Sequence, residues 1–169
     1  MLDEGYAAVS MRSVAKAAGL SSALVHYYYP TTDDLFVALY QHSSAEDLKR
    51  LQSALASEDP VAALWAYQTD SARTVLGIEF LALANHRKAI RKEISRFVEF
   101  ARNLQAKALQ GLAGDMSSGA VACSPLCMAT LMTSIARNLI VEDGVGISLG
   151  HAEARAFVEQ SLEQLRQSQ

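Results

Sequence analysis

Gly19 and Pro30 constrain this chain more than any other residues, because they confine the segment from Ser10 to Pro30 to two short helices joined by a tight turn. Ser10 offers a hydroxyl to the first free N–H groups of a helix. Met11, Val14, Ala15 and Ala18 then share one face at three- and four-residue spacing. Gly19 supplies the left-handed conformation that ends such a helix. Leu20 follows, Ser21 provides a second N-cap, and Ala23, Leu24, Val25, His26, Tyr27, Tyr28 and Tyr29 carry a second helix until Pro30 stops it. A Gly-containing turn of small residues between two short helices predicts a helix-turn-helix, whose second helix is shaped to lie in a DNA major groove.

The remainder predicts helices throughout, and the fold class is all-α. Thr31 with Asp34 has capping-box spacing, and Leu35, Phe36, Leu39, Tyr40, Leu48, Leu51 and Leu55 keep a helical rhythm as far as Asp59-Pro60. Asp59 and Pro60 open the next helix, which runs through Leu64, Trp65 and Val75 until Gly77 weakens the pattern. A shorter helical piece follows from Ile78 to about Asn85. From Arg87 to about Leu112 apolar and charged residues alternate as an exposed long helix requires, and residues 114–119 read as a loop. Ser124 and Pro125 start a helix that is apolar nearly all round and ends at Asp143-Gly144, so it either sits centrally or meets a partner subunit. A Gly-rich link from Gly144 to Gly150 leads to a last helix, His151 to Gln167, with Phe157, Val158, Leu162 and Leu165 as its stripe. The last two helices together would form half of a four-helix dimer bundle.

Composition narrows the function. Half of the 169 residues are hydrophobic and 20% are charged, which excludes intrinsic disorder and favours a compact, soluble chain. The formal net charge of −3 gives no global attraction to nucleic acid, so such binding must rest on a local surface. Every apolar run is broken well before the roughly 18 residues needed to cross a bilayer, and no signal-peptide pattern is present, so a cytoplasmic protein is expected. Cys123 and Cys127 cannot make a disulfide framework; with no second ligand pair nearby they read as two buried thiols rather than half a metal site. No nucleophile elbow, phosphate-binding Gly loop, HExxH pair or paired carboxylates stands in a recognisable frame, so neither enzymatic activity nor a cofactor is expected.

The run Gly5-Tyr6-Ala7-Ala8-Val9-Ser10-Met11-Arg12-Ser13-Val14-Ala15-Lys16-Ala17-Ala18-Gly19-Leu20-Ser21, with Tyr27-Tyr28-Tyr29-Pro30-Thr31-Thr32-Asp33-Asp34-Leu35 after it, resembles the DNA-binding region of TetR-family transcriptional regulators. The resemblance covers about the first forty residues; beyond them only helix order and length agree. It implies an all-helical homodimer with a helix-turn-helix region over 1–42 and a helical effector-binding and dimerisation domain over 43–169. Such a protein holds a palindromic double-stranded DNA operator and is released, as a repressor, by a small-molecule effector. Carried over position by position, the DNA contacts fall on Ser10 and Arg12 in the first helix and on Ser22, Ala23, Leu24, His26, Tyr27 and Tyr28 in the second. Arg12 suits guanine O6 and N7, Ser22 a base edge or phosphate, Leu24 a thymine methyl, and the His and Tyr tips backbone oxygens. Tyr29 falls at a core position.

Two departures from the family stand out. Only Met1-Leu2-Asp3-Glu4 precede Gly5, where the family has a full helix, so either the chain lacks that first helix or the sequence begins after it. The family's frequent Lys after the aromatic-Pro turn is Thr32, followed by Asp33 and Asp34. Arg12 and Lys16 balance Asp3 and Glu4, which predicts modest phosphate attraction. An alternative is therefore a helical dimeric ligand-binding or interaction module without DNA binding. The effector site implied by the resemblance lies among the middle helices, with Trp65, Tyr67, Phe80, Phe97, Phe100, Met128 and Met132 as walls. Asn85, His86, Arg102 and Asn138 are its polar anchors. For any single aromatic at helical spacing, core packing is the commoner role. Arg137 and Asn138, in the most apolar helix, each need a partner, either a ligand or a second subunit.

Overall fold

The computed structural model describes residues 5–113 and 123–167, so the loop expected at 114–119 lies outside the described residues. A single 3-10 turn, Tyr6–Ala8, precedes eight helices among the described residues, and no strand occurs. They are α1 (Met11–Ala18), α2 (Ser22–Tyr28), α3 (Thr32–Leu55), α4 (Pro60–Gln68), α5 (Ser71–His86), α6 (Lys88–Ala113), α7 (Pro125–Asp143) and α8 (His151–Gln167). Most of the expected caps are made. The Thr31 backbone N–H donates to Asp34 Oδ2 (2.9 Å) while the Asp34 N–H donates back to Thr31 Oγ1 (3.1 Å). Asp59 Oδ1 accepts from the Ala62 N–H at 3.0 Å and Ser124 Oγ from the Cys127 N–H at 3.1 Å, each with proline opening the first turn.

One helix boundary differs from the sequence reading. The chain breaks at Thr69–Asp70 and α5 runs without interruption through Gly77. The break has its own chemistry: Thr69 Oγ1 donates back to the Trp65 carbonyl (2.9 Å), and Asp70 Oδ1 accepts the Arg73 N–H (3.0 Å) as the cap of α5. A glycine inside a helix costs only about 1 kcal/mol, less than the packing of two flanking helical turns returns.

The chain divides into two compact units. The first combines Met1–Asp47 with Val75–Val98, the second Leu48–Thr74 with Glu99–Gln169. In the first, Met11, Ala15, Val25 and Leu35 form one small core with Val14 and Tyr29 packed on it, so α1, α2 and the start of α3 close around a common centre. A second core joins Phe36, Tyr40, Phe80, Leu83, Ala84, Ile90 and Ile94, with Tyr6 and Phe97 at its margin. Tyr40 meets Phe80 edge-on at 4.9 Å, and burial, then the nearby Asp47 and Glu93 charges, drive its phenol well above the usual range. In the second unit α4 packs on α7 and α8, and α7 on α8. Val61, Leu64, Trp65, Ala129, Met132, Ala136, Leu139, Ile140, Val158 and Leu162 are its buried apolar residues on these helices.

The α7–α8 connection is pinned by His151, whose Nδ1 lies 2.9 Å from Asp143 Oδ1 and whose Nε2 lies 2.8 Å from Glu142 Oε2. That bond, followed by one from Asn138, holds the Glu142 carboxyl below its ordinary range. The two cysteines are not the buried pair expected: Cys127 is exposed at the first turn of α7 and Cys123 is half-buried. Burial first, and then the bond to Cys127, pushes the Cys123 thiol up to about 11. No described helix is long and apolar enough to cross a membrane.

Candidate nucleic-acid interface

The geometry around Gly19 fixes how α2 is presented. Gly19 adopts φ 66°, ψ 26°; its N–H reaches the Lys16 carbonyl at 3.3 Å, and the Leu20 N–H reaches the Ala15 carbonyl at 2.9 Å. This paired closure stops α1 in a left-handed residue and turns the chain within two positions. Ser21 then caps α2 through Leu24 N–H to Ser21 Oγ, 3.2 Å. Val25 is the only buried residue of α2 and is its anchor in the small core. The other six of its seven residues face solvent, including Leu24 at 40%, Tyr27 at 78% and Tyr28 at 67% exposure. The Tyr27 and Tyr28 rings meet edge-on at 5.3 Å.

All eight residues that sequence analysis assigns to DNA lie on the surface of this two-helix motif. Arg12 is exposed on α1; Ser22, Ala23, Leu24, His26, Tyr27 and Tyr28 are exposed along α2. Ser10 is exposed but already engaged, since its hydroxyl accepts the Ser13 N–H (3.1 Å) and the Ser13 hydroxyl accepts the Ser10 N–H (2.8 Å). The packing of Tyr29 on the small core agrees with its expected core role. Ala18, expected on the buried face of α1, is exposed because Gly19 turns the chain away immediately after it.

Acidic residues beside the motif are occupied within the first unit. Arg87 pairs with Asp33, and Asp34 serves the cap of Thr31. The Arg87 guanidinium also lies 5.3 Å from the centre of the Phe36 ring. Arg87 therefore neutralises one of the two charges that follow Thr32, a role the sequence does not signal. The glycine-tyrosine pair at the start of the motif also has a structural meaning: Gly5 holds φ 72°, ψ 173°, and the Tyr6 N–H donates to Glu79 Oε2 at 2.7 Å.

The residues proposed for an effector site divide between the units. Phe80 and Phe97 belong to the core of the first unit, where exposed His86 stacks on Tyr6 at 6.5 Å and Asn85 gives its carbonyl to Arg91 Nη2 at 3.2 Å. The second unit holds Trp65 and Met132 buried, Tyr67, Arg102 and Met128 half-buried, and Phe100 and Asn138 exposed. Asn138 is bonded to Glu142. What the sequence reading missed is a polar network in that unit. Gln68 Nε2 donates to Gln105 Oε1 and to Thr133 Oγ1, both at 3.0 Å. The signal was present: Gln68 follows Val61, Leu64 and Trp65, and Gln105 stands between Ala101 and Leu109, all at core-facing helical spacing.

Among known proteins, residues 1–39 match the family model described as bacterial regulatory proteins, tetR family. In three dimensions the chain is similar to a TetR transcription regulator from Haloarcula marismortui ATCC 43049, with TM-score 0.71, 17% sequence identity, and coverage of 99% of this chain and 90% of that one. No curated protein matches the sequence. The all-α class and the helix-turn-helix expected from Gly19 and Pro30 agree with both findings.

Proposed function

We propose that this chain, a DNA-binding regulator of the tetR family by its match over residues 1–39, works as a repressor that leaves a palindromic operator when a small molecule binds. The observation that carries the DNA-reading part is the presentation of α2, anchored by Val25 alone, with Leu24, Tyr27 and Tyr28 left in solvent. Leu24, Tyr27 and Tyr28 exposed together on a seven-residue helix make an apolar patch of the kind that marks contact with a partner. In a major groove Leu24 packs on a thymine methyl, the tyrosine and histidine tips reach backbone oxygens, and Arg12 forks onto a guanine. Residues 1–42 read DNA in this account, and 43–169 take the effector and form the dimer, in the cytoplasm.

The second subunit in this reading covers α7 and α8. Leu131, Ser134, Asn138 and Val141 follow one another at three- and four-residue spacing along α7 and are exposed in the single chain, as is Phe157 on α8. Burying such a stripe against its symmetry mate makes a four-helix interface. Two copies of α2 then sit about one helical turn of DNA apart, ~34 Å, and an effector that changes this spacing lowers operator affinity.

Selection of bound duplexes from a random pool with the full chain tests the reading. A recovered palindrome whose half-sites lie one turn apart is expected. Recovery of no preferred sequence from a folded dimer would refute it and favour the ligand-binding module without DNA binding.

A further inference from the structure

The start of α7 brings the two cysteines of the chain together. Ser124 caps this helix and Pro125 opens it, so Cys123 lies just before the cap and Cys127 in the first turn after it. The Cys123 Sγ sits over that turn, 3.7 Å from the Ser124 carbonyl, whose oxygen also accepts the Met128 N–H at 2.9 Å. From there the Cys123 thiol bonds to the Cys127 side chain. Sulfurs already in contact reach the disulfide length of about 2.05 Å by side-chain rotation, whereas cysteines whose Cβ vectors diverge need backbone movement. The two thiols differ in access, because Cys127 is exposed and Cys123 is half-buried.

That difference sets an order of reaction. Burial, then the bond to Cys127 and its charge, push the Cys123 thiol up to about 11, so Cys123 keeps its proton while Cys127 supplies the anion. Cys127 stands at the N-terminal end of a 19-residue helix whose first turn holds no acidic residue. The partial positive charge of such an end stabilises an anion formed there, and the thiolate is the nucleophilic form of cysteine. We infer that Cys123 and Cys127 are a redox pair, in which Cys127 attacks a hydroperoxide and Cys123 resolves the product as an intrachain disulfide. In the first step the Cys127 sulfur takes the terminal hydroxyl of the peroxide, the O–O bond breaks, and an alkoxide or hydroxide leaves. In the second the Cys123 sulfur attacks the Cys127 sulfenic acid, the S–O bond breaks, and the hydroxide leaves as water with the Cys123 proton. The two thiols lose two electrons, the peroxide gains them, and a thiol reductant reverses the change. Cys127 lies one turn before Leu131, outside the stripe assigned to the second subunit, and the pair requires neither DNA binding nor an effector.

The test is intact-mass spectrometry of the reduced full chain after treatment with hydrogen peroxide, with any remaining thiols capped by N-ethylmaleimide in denaturant. The chain has only two cysteines, so the expected product is one species of single-chain mass, less two hydrogens and with no maleimide added. Dithiothreitol should restore both thiols. In Cys123→Ser the remaining thiol should gain one oxygen that dimedone traps, whereas Cys127→Ser should react with peroxide at least about tenfold more slowly. Two free thiols after peroxide, a covalent dimer of double mass, or oxygen added without loss of the two hydrogens would each overturn the pair, and the parent chain alone decides this. Equal peroxide rates in the two variants would overturn the assignment of Cys127 as the attacking sulfur.

Discussion

Replacing Gly77 by alanine should stabilise the protein, and the size of the gain follows from where α5 runs. Gly77 lies inside the helix Ser71–His86, well away from both ends. Its φ is not positive, and a Cβ added there meets no heavy atom within 4 Å, so the methyl group enters open space. The substitution therefore carries no steric penalty and removes the excess freedom of glycine in the unfolded chain, a gain of about 0.5–1 kcal/mol. For a chain of this length that is a rise in Tm of roughly 2–4 °C per kcal/mol. Gly19→Ala is the control of opposite sign. It also has open space around the added Cβ, but its φ of +66° disfavours any side chain by about 1–2 kcal/mol. Thermal and urea unfolding followed by circular dichroism read both. If Gly77→Ala were neutral or destabilising while Gly19→Ala behaved as stated, α5 would break at Gly77, as the sequence pattern alone suggests, and the continuous helix would be wrong.

Other substitutions separate binding from folding. Tyr27→Phe and Tyr28→Phe should leave Tm unchanged, because both rings are largely exposed. Each should weaken operator binding by about 1 kcal/mol if its hydroxyl bonds a phosphate, read by fluorescence anisotropy. At the α7–α8 junction, Glu142 is a carboxyl held below its ordinary value of 4.5, chiefly by His151. A depressed carboxyl adds stability that is present above the unfolded value and is lost as pH falls through the folded one. Acid unfolding should thus draw on this bond below about pH 4.5, and His151→Gln should flatten that limb; an unchanged acid limb would show the bond contributes nothing. Leu131→Glu on the exposed stripe of α7 should leave the monomer folded and shift sedimentation towards the single-chain mass.

The parts of the molecule that are legible from sequence are those set by backbone chemistry within a few residues. Gly19 needs a left-handed conformation, Ser21 and Ser124 need a free N–H, and Pro30 forbids continuation, so the two short helices and the start of α7 follow directly. The exposure of the DNA-contact candidates on α2 follows from the same logic, because a seven-residue helix with one apolar anchor at Val25 can bury only one face. The α4–α5 break was missed because Gly77 is a stronger local signal than Thr69 and Asp70, although its penalty is small enough for packing to override. The Gln68–Gln105–Thr133 network was missed because it joins positions 37 and 65 residues apart, a distance no periodic pattern reports. The same limit hid Arg87, 54 residues from the Asp33 it neutralises.

The central claim, that α2 reads DNA, is tested most directly by measuring the affinity of the full chain for its selected duplex and for a scrambled duplex of equal length, across a salt series. The account predicts a preference for the selected duplex of about 10³ or more, with both affinities falling linearly in log–log against salt. The same preference should collapse in the Leu24→Ala, Tyr27→Ala double variant at unchanged Tm. Equal affinity for the two duplexes, or a preference that survives removal of those side chains, would contradict it.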